Sequence, residues 1–217
     1  MKRNEWIRIG CILAAMTLAT TTAFAGAPNE EVWSMGYRFE LLTADGSPAN
    51  DMMGSGVFAK HHVGSDYQVE WALEYVEYDF ESPQCYLGFP RGTTVESDSR
   101  TRSTVISLRV ERALLGAQRA LRPHLFAGLG LGYTVVDDVR GSAGGQIFDI
   151  NAEGGMETVP CMGVGLRYQG SRFMVDGGIR LERHFTDWDL EDRISGVRGN
   201  VGDYTAWGGW IGLSAYL

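Results

Sequence analysis

Tyr204-Thr-Ala-Trp-Gly-Gly-Trp-Ile-Gly-Leu-Ser-Ala-Tyr-Leu217, the last fourteen residues of the chain, carry no charge. Their odd positions read Trp207, Gly209, Ile211, Leu213, Ala215 and Leu217. Their even positions read Tyr204, Ala206, Gly208, Trp210, Gly212, Ser214 and Tyr216. A strand sends alternate residues to opposite faces. One face of this segment is therefore greasy and the other small or aromatic-polar. Upstream, segments at roughly 32–42, 55–63, 67–77, 103–113, 123–136, 158–168 and 173–184 alternate in a similar way. Turn-rich stretches separate them.

The N-terminus reads as a secretory signal. Lys2, Arg3 and Arg8 form a basic start, Ile9 to Phe24 is apolar or small, and Ala23-Phe24-Ala25 offers a cleavage site. That run is short and dotted with Thr, which suits a cleaved signal better than a membrane anchor. The expected organisation is a signal at 1–25 and one domain at 26–217. Without the signal, 16 Lys and Arg face 26 Asp and Glu, a formal charge of −10. Nucleic acid rewards basic faces and is excluded as a partner. Beyond the signal the longest uncharged runs, Pro123–Val136 and Tyr204–Leu217, are too short and too glycine-rich for a spanning helix. A closed barrel of alternating strands can still span, because it satisfies its backbone hydrogen bonds internally.

The pattern predicts an all-β chain: an eight-stranded antiparallel up-and-down transmembrane β-barrel with four long extracellular loops. The connections 43–54, 78–102, 137–157 and 185–203 are long, whereas 64–66, 114–122 and 169–172 are shorter. That rhythm belongs to outer-membrane barrels. The outward faces include Trp33, Phe39, Trp71, Leu108, Leu129, Val164 and Ile179. Aromatic residues at segment ends, such as Trp33, Tyr67, Tyr133, Tyr168 and Trp207, fall where interfacial girdles belong.

The inward faces carry five basic residues, Arg38, Lys60, Arg109, Arg167 and Arg180. Six acidic ones accompany them: Glu40, Glu70, Glu74, Glu111, Asp176 and Glu182. Strand 55–63 is ambiguous in its facing; Phe58 and Lys60 are placed inward. Glycines at 128, 130, 132, 163 and 165 leave room for long side chains opposite. A soluble lipid-binding barrel would put aliphatics inside and charges outside. Balanced inner charges predict an ion-pair network that plugs the lumen; one dominant sign would instead suit a selective pore.

Several residues invite separate readings. Cys85 and Cys161 fall at the same rim, where an exported chain could bridge them or leave two thiols. Arg183 faces outward at the top of its strand, as a contact for lipopolysaccharide phosphate or as a snorkelling surface side chain. His61, His62, His124 and His184 have no metal-ligand spacing, so no metal and no cofactor are expected. The acidic loops 137–157 and 185–203 read as solvated rather than as divalent-cation sites.

The segment Arg122-Pro-His-Leu-Phe-Ala-Gly-Leu-Gly-Leu-Gly-Tyr133 resembles the fifth strand of the OmpA-like, porin-family outer-membrane barrels. The resemblance extends over the mature chain as strand rhythm, although Leu217 replaces the family's usual terminal Phe. It implies residence in the outer membrane of a Gram-negative-type envelope, after signal cleavage. The implied partners are outer-membrane lipid and lipopolysaccharide, with the barrel-assembly machinery during biogenesis. A narrower resemblance joins His184-Phe185-Thr186-Asp187 to the His-x-Ser-Asn motif of outer-membrane lipid A deacylases. The inward face assigned to His184 counts against it, since such a site must meet the bilayer. The expected function is non-enzymatic, with no catalytic residue: an envelope structural or surface-interaction protein acting through its loops. A narrow porin-like channel for small solutes is the alternative, and a deacylase-like enzyme a further one. Nothing in the pattern sets an oligomeric state.

Overall fold

The structure, a computed structural model, describes residues 33–45, 49–63, 66–80, 87–88, 94–95, 100–115, 120–143 and 145–217. The expected signal at 1–25 and Cys85 lie outside these residues. Thirteen strands occur among the described residues. Eight form the barrel: β1 (Trp33–Asp45), β2 (Ala49–Val63), β3 (Tyr67–Phe80), β5 (Arg100–Ala113), β6 (Leu121–Val136), β9 (Met156–Gln169), β10 (Phe173–His184) and β13 (Tyr204–Tyr216). They close in the order β1-β13-β10-β9-β6-β5-β3-β2, with every neighbouring pair antiparallel.

The register fixes the shape. Direct partners run from Arg102 through Glu77, Met53, Leu41, Gly209, Ile179, Val164 and Leu125 to Arg112. One circuit therefore returns to the same strand ten residues along, a shear of ten. With eight strands and usual spacings this gives a tilt of about 40° and a radius of about 8 Å. Such a wall leaves little more than side-chain room inside.

The outer wall is apolar where the alternation placed it. Phe39, Trp71, Leu108, Leu129, Val164, Ile179 and Ile211 are all exposed large hydrophobics. At the turn end, Trp33 stacks on His61 (4.8 Å between centroids) and on Trp71 (5.4 Å). An exposed belt of this extent has no reason to exist in water and is what a bilayer solvates. No helix among the described residues is long and apolar enough to cross a membrane. Phe58 and Lys60 point inward, 3% and 0% exposed, which settles the ambiguous facing of β2.

Two features depart from the expected loop plan. The first long connection shrinks to 46–48, because β1 runs on to Asp45 and β2 starts at Ala49, the two pairing as far as Thr43 and Asp51. The remaining excursions are not simple loops. They contain β4 (Thr94–Val95), β7 (Val139–Ala143), β8 (Gln146–Glu153), β11 (Trp188–Asp192) and β12 (Arg198–Val201). These join in a second sheet of order β12-β11-β8-β7-β4, drawn from three separate connections.

The physical reason lies in what the barrel's inner face becomes near its loop end. On β1, Arg38 and Glu40 give way to Leu42 and Ala44; on β3, Glu70 and Glu74 give way to Val76 and Tyr78. The inner face of the second sheet supplies Val139, Phe148, Ile150, Trp188, Leu190 and Val201, each no more than 1% exposed. Both sets belong to one buried apolar cluster. The second sheet is thus a cap, held on the barrel mouth by burial of apolar area.

Candidate functional site

The lumen is the part of the molecule with the most unusual chemistry. Inward alternate positions of β1, β2, β3, β5, β9 and β10 deliver the eleven charged side chains read from the sequence, all at most 4% exposed. The structure brings them into one connected set. Glu74 lies at its centre, accepting from Arg109 at 2.6 Å, Arg38 at 3.0 Å and Arg180 at 3.1 Å. Glu70 takes Arg38 at 2.6 Å, Lys60 at 3.2 Å and Arg109 at 3.3 Å. Lys60 also pairs with Glu111 at 3.1 Å and with Asp176. Arg167 joins Glu111 and stands 3.4 Å from Asp176. Arg180 closes the set through Glu40 at 2.5 Å and Glu182 at 2.8 Å.

Aromatic rings complete the packing. The Arg38 guanidinium lies between Phe58 and Trp210, 4.9 and 4.8 Å from their centroids. Glycines open the space for these bodies. A Cβ on Gly36 would stand 2.5 Å from the Phe58 ring, and one on Gly132 would stand 2.7 Å from Glu157 Cγ. Charges so deeply buried persist only when paired, and sharing all of these carboxylates but Glu40 among two or more cationic partners does that here.

Above this network is a layer that sequence reasoning misplaces. The sequence pattern puts Glu157 in a solvated loop. It instead stands on β9, 2% exposed, because β9 starts at Met156 and its alternation turns Glu157 inward. Glu157 accepts from Thr134 Oγ1 at 2.9 Å and from Ser103 Oγ, and pairs with His184 Nδ1 at 3.0 Å. The other His184 nitrogen stands 3.5 Å from Glu182. The imidazole stacks on Tyr204 at 4.4 Å with 5° between planes. Trp188 of the cap meets Tyr204 edge-on at 6.2 Å. Polar network, histidine layer and apolar cap are therefore in continuous contact.

The remaining sequence-derived residues are placed as follows. His184 faces the lumen at 3% exposure, and the Thr186 hydroxyl donates to the carbonyls of Val201 and Gly202 at 3.3 and 3.1 Å. That geometry gives the deacylase-like motif neither a bilayer-facing base nor a nucleophile held by it. Cys161 is a buried free cysteine on the inner wall, and Cys85, which the sequence leaves open as a bridge partner or a second thiol, lies outside the described residues. His61 and His62 stand near the turn end, where His62 is 2.7 Å from Gln68. Among the described residues no three His, Cys, Asp or Glu side chains converge as metal ligands.

Asp137, Asp138 and Glu191 remain 37–43% exposed and pair with arginines. Asp137 holds Arg102 at 2.8 Å, Asp138 holds Arg193 at 2.8 Å, and Glu191 holds Arg198 at 3.3 Å. Asp192 builds the turn between β11 and β12. It accepts the backbone N–H of Asp149 at 2.8 Å, of Ile194 at 3.3 Å and of Ser195 at 3.0 Å, with the Ser195 hydroxyl at 2.5 Å. Burial pushes this carboxyl up, but these donors together hold it below the usual carboxylate range. A carboxyl lowered in the folded state adds stability above its unfolded value of about 3.9, and that stability is lost as pH falls through the lowered value. Amide protection factors in 192–197 should therefore be high at neutral pH and fall in strong acid. Asp192→Asn should show low protection factors at both. A variant as protected as the native chain at neutral pH would refute this role.

No protein-family model matches the chain. No curated protein matches it either. Solved structures do. The outer membrane protein OprG from Pseudomonas aeruginosa superposes with a TM-score of 0.53 at 13% identity, covering 88% of this chain and 98% of that one. Neisserial surface protein A gives 0.48 at 13% identity, covering 84% and 96%. A major outer membrane protein from Thermus thermophilus gives 0.49 at 10%, covering 84% and 99%. The chain has the OmpA-like, porin-type fold of the small eight-stranded outer-membrane barrels.

Proposed function

From that fold we propose that the chain is a non-enzymatic protein of the outer membrane in a Gram-negative-type envelope. It is delivered there after signal cleavage by the barrel-assembly route. It stiffens the envelope and presents the outer face of the cap to surfaces or neighbouring proteins. The observation that carries this reading is the filled lumen. A connected ion-pair set, a histidine–carboxylate layer and an apolar cap follow one another along the barrel axis. No observation favours a passage for solutes over this closure.

The outer face of the cap supports a role in contact. It alternates charge of both signs and amide, with Arg140, Asp149, Asn151, Glu191 and Arg198 on adjacent strands. Such a face suits polar, reversible recognition rather than a permanent apolar interface. The test is single-channel recording of the refolded mature chain in a planar bilayer. Heat-dependent gel mobility verifies folding in the same preparation. The expected trace is silent. Discrete, reproducible conductance steps would replace this reading with a channel.

A further inference from the structure

Arg183 stands on β10 just above the apolar outer wall. Its side chain is 46% exposed, and its Nη1 donates to Thr205 Oγ1 of β13 at 2.9 Å. The nearest carboxylate, Asp203, is 3.7 Å away and also accepts the Thr186 N–H at 3.2 Å. Two other outer arginines, Arg102 and Arg193, are more fully engaged. Asp137 grips Arg102 with two bonds, at 2.8 and 3.3 Å, and Arg193 bonds Asp138 at 2.8 Å and Asn151 at 2.9 Å. A guanidinium offers five N–H donors in a fixed fork, so most of the Arg183 fork points to the outside unspent.

What surrounds it is apolar on both sides. Leu181 and Trp207, direct cross-strand partners, are exposed immediately below. Phe185 is exposed immediately above, its ring 5.9 Å from the guanidinium. A ligand for this place must be anionic at one point and greasy around it. An exposed pair at 3.7 Å is worth little and yields to a group that fills the fork bidentately. A phosphate does that, and acyl chains suit the flanking surface.

We propose that Arg183, with Thr205 beside it, binds the phosphate of a phosphorylated lipid whose acyl chains lie on Leu181 and Trp207. This site rests on the membrane-spanning reading above. The test places the refolded mature chain in phosphatidylcholine vesicles doped with lipopolysaccharide, then extracts it in mild detergent and quantifies the lipopolysaccharide retained. Parallel samples use the same lipid after phosphate removal, and the variants Arg183→Gln and Arg102→Gln, each verified as folded by heat-dependent mobility. Retention is expected to fall about tenfold with Arg183→Gln and with the phosphate-free lipid. It should stay near the native level with Arg102→Gln. A barrel that inserts but retains both lipids equally, or that ignores Arg183→Gln, overturns the site alone. A folded chain that stays in the aqueous phase overturns the membrane-spanning reading and the site with it.

Discussion

Replacing Glu74 by Ala is expected to cost the refolded barrel about 3–5 kcal/mol, the usual penalty for stranding buried charge. Glu74 is the carboxylate shared by Arg38, Arg109 and Arg180, which are 2%, 3% and 2% exposed. Without it three guanidinium groups face one another, buried from solvent, with a carboxylate missing between them. Arg38 and Arg109 then depend on Glu70 alone, and Arg180 on Glu40 and Glu182. Glu74→Gln should lose nearly as much, because volume survives but charge does not. The contrast is Glu77→Ala three residues along, whose partner Arg100 is 3.5 Å away and partly exposed. That change should fall within about 1 kcal/mol of native. Urea unfolding in lipid vesicles, followed by gel mobility, measures both. Equal midpoints for the two variants would show that the inner charges do not hold the wall together.

Trp188→Ala is the second large effect, and its signature is local. Trp188 is 0% exposed, the largest side chain between cap and mouth. Truncating a buried Trp usually costs about 3–5 kcal/mol. Here the loss falls on a sheet whose strands are two to eight residues long and whose other buried residues, such as Phe148, Ile150 and Leu190, are all smaller. The cap should open while the barrel stays closed. Limited proteolysis of the variant is expected to cut within 137–155 and 186–203, leaving barrel fragments that still migrate as folded. A cleavage pattern identical to the native chain would mean that the cap does not depend on this anchor. Loss of the folded barrel itself would mean that cap and barrel form one cooperative unit.

The barrel is legible in the sequence because its signal is local. Alternation alone places Arg38, Glu70, Arg109 and Asp176 inside and Trp71, Leu129 and Ile179 outside. The cap is not, although its own alternation is present. Phe148, Ile150 and Ala152 alternate with Ile147, Asp149 and Asn151, and Trp188 and Leu190 flank Asp189. Those runs are short and sit among Gly and Asp, so they read as turns. Their pairing is also non-local: β8 meets β11 across two barrel strands of intervening chain. The change from charged to apolar on the inner faces of β1 and β3 is the available clue that something covers the mouth. Glu157 is misplaced for a related reason, since a strand boundary two residues off moves it from wall to loop.

The central position of β8 in the cap limits how this surface can diverge. The strand order β12-β11-β8-β7-β4 puts the hairpin of β7 and β8 between segments from the other two connections. Losing that hairpin would sever the sheet and uncover the apolar mouth, so the three excursions cannot drift independently of one another. Tolerance for inserted sequence is expected at the two hairpin tips, where Gly145 and Gly196 adopt φ of 85° and 71° and a Cβ would meet nothing within 4 Å. A peptide epitope grafted at either tip should be displayed on intact cells, whereas the same graft inside β8 should abolish display. Under pressure to change its appearance, this protein would alter two points and conserve the scaffold between them.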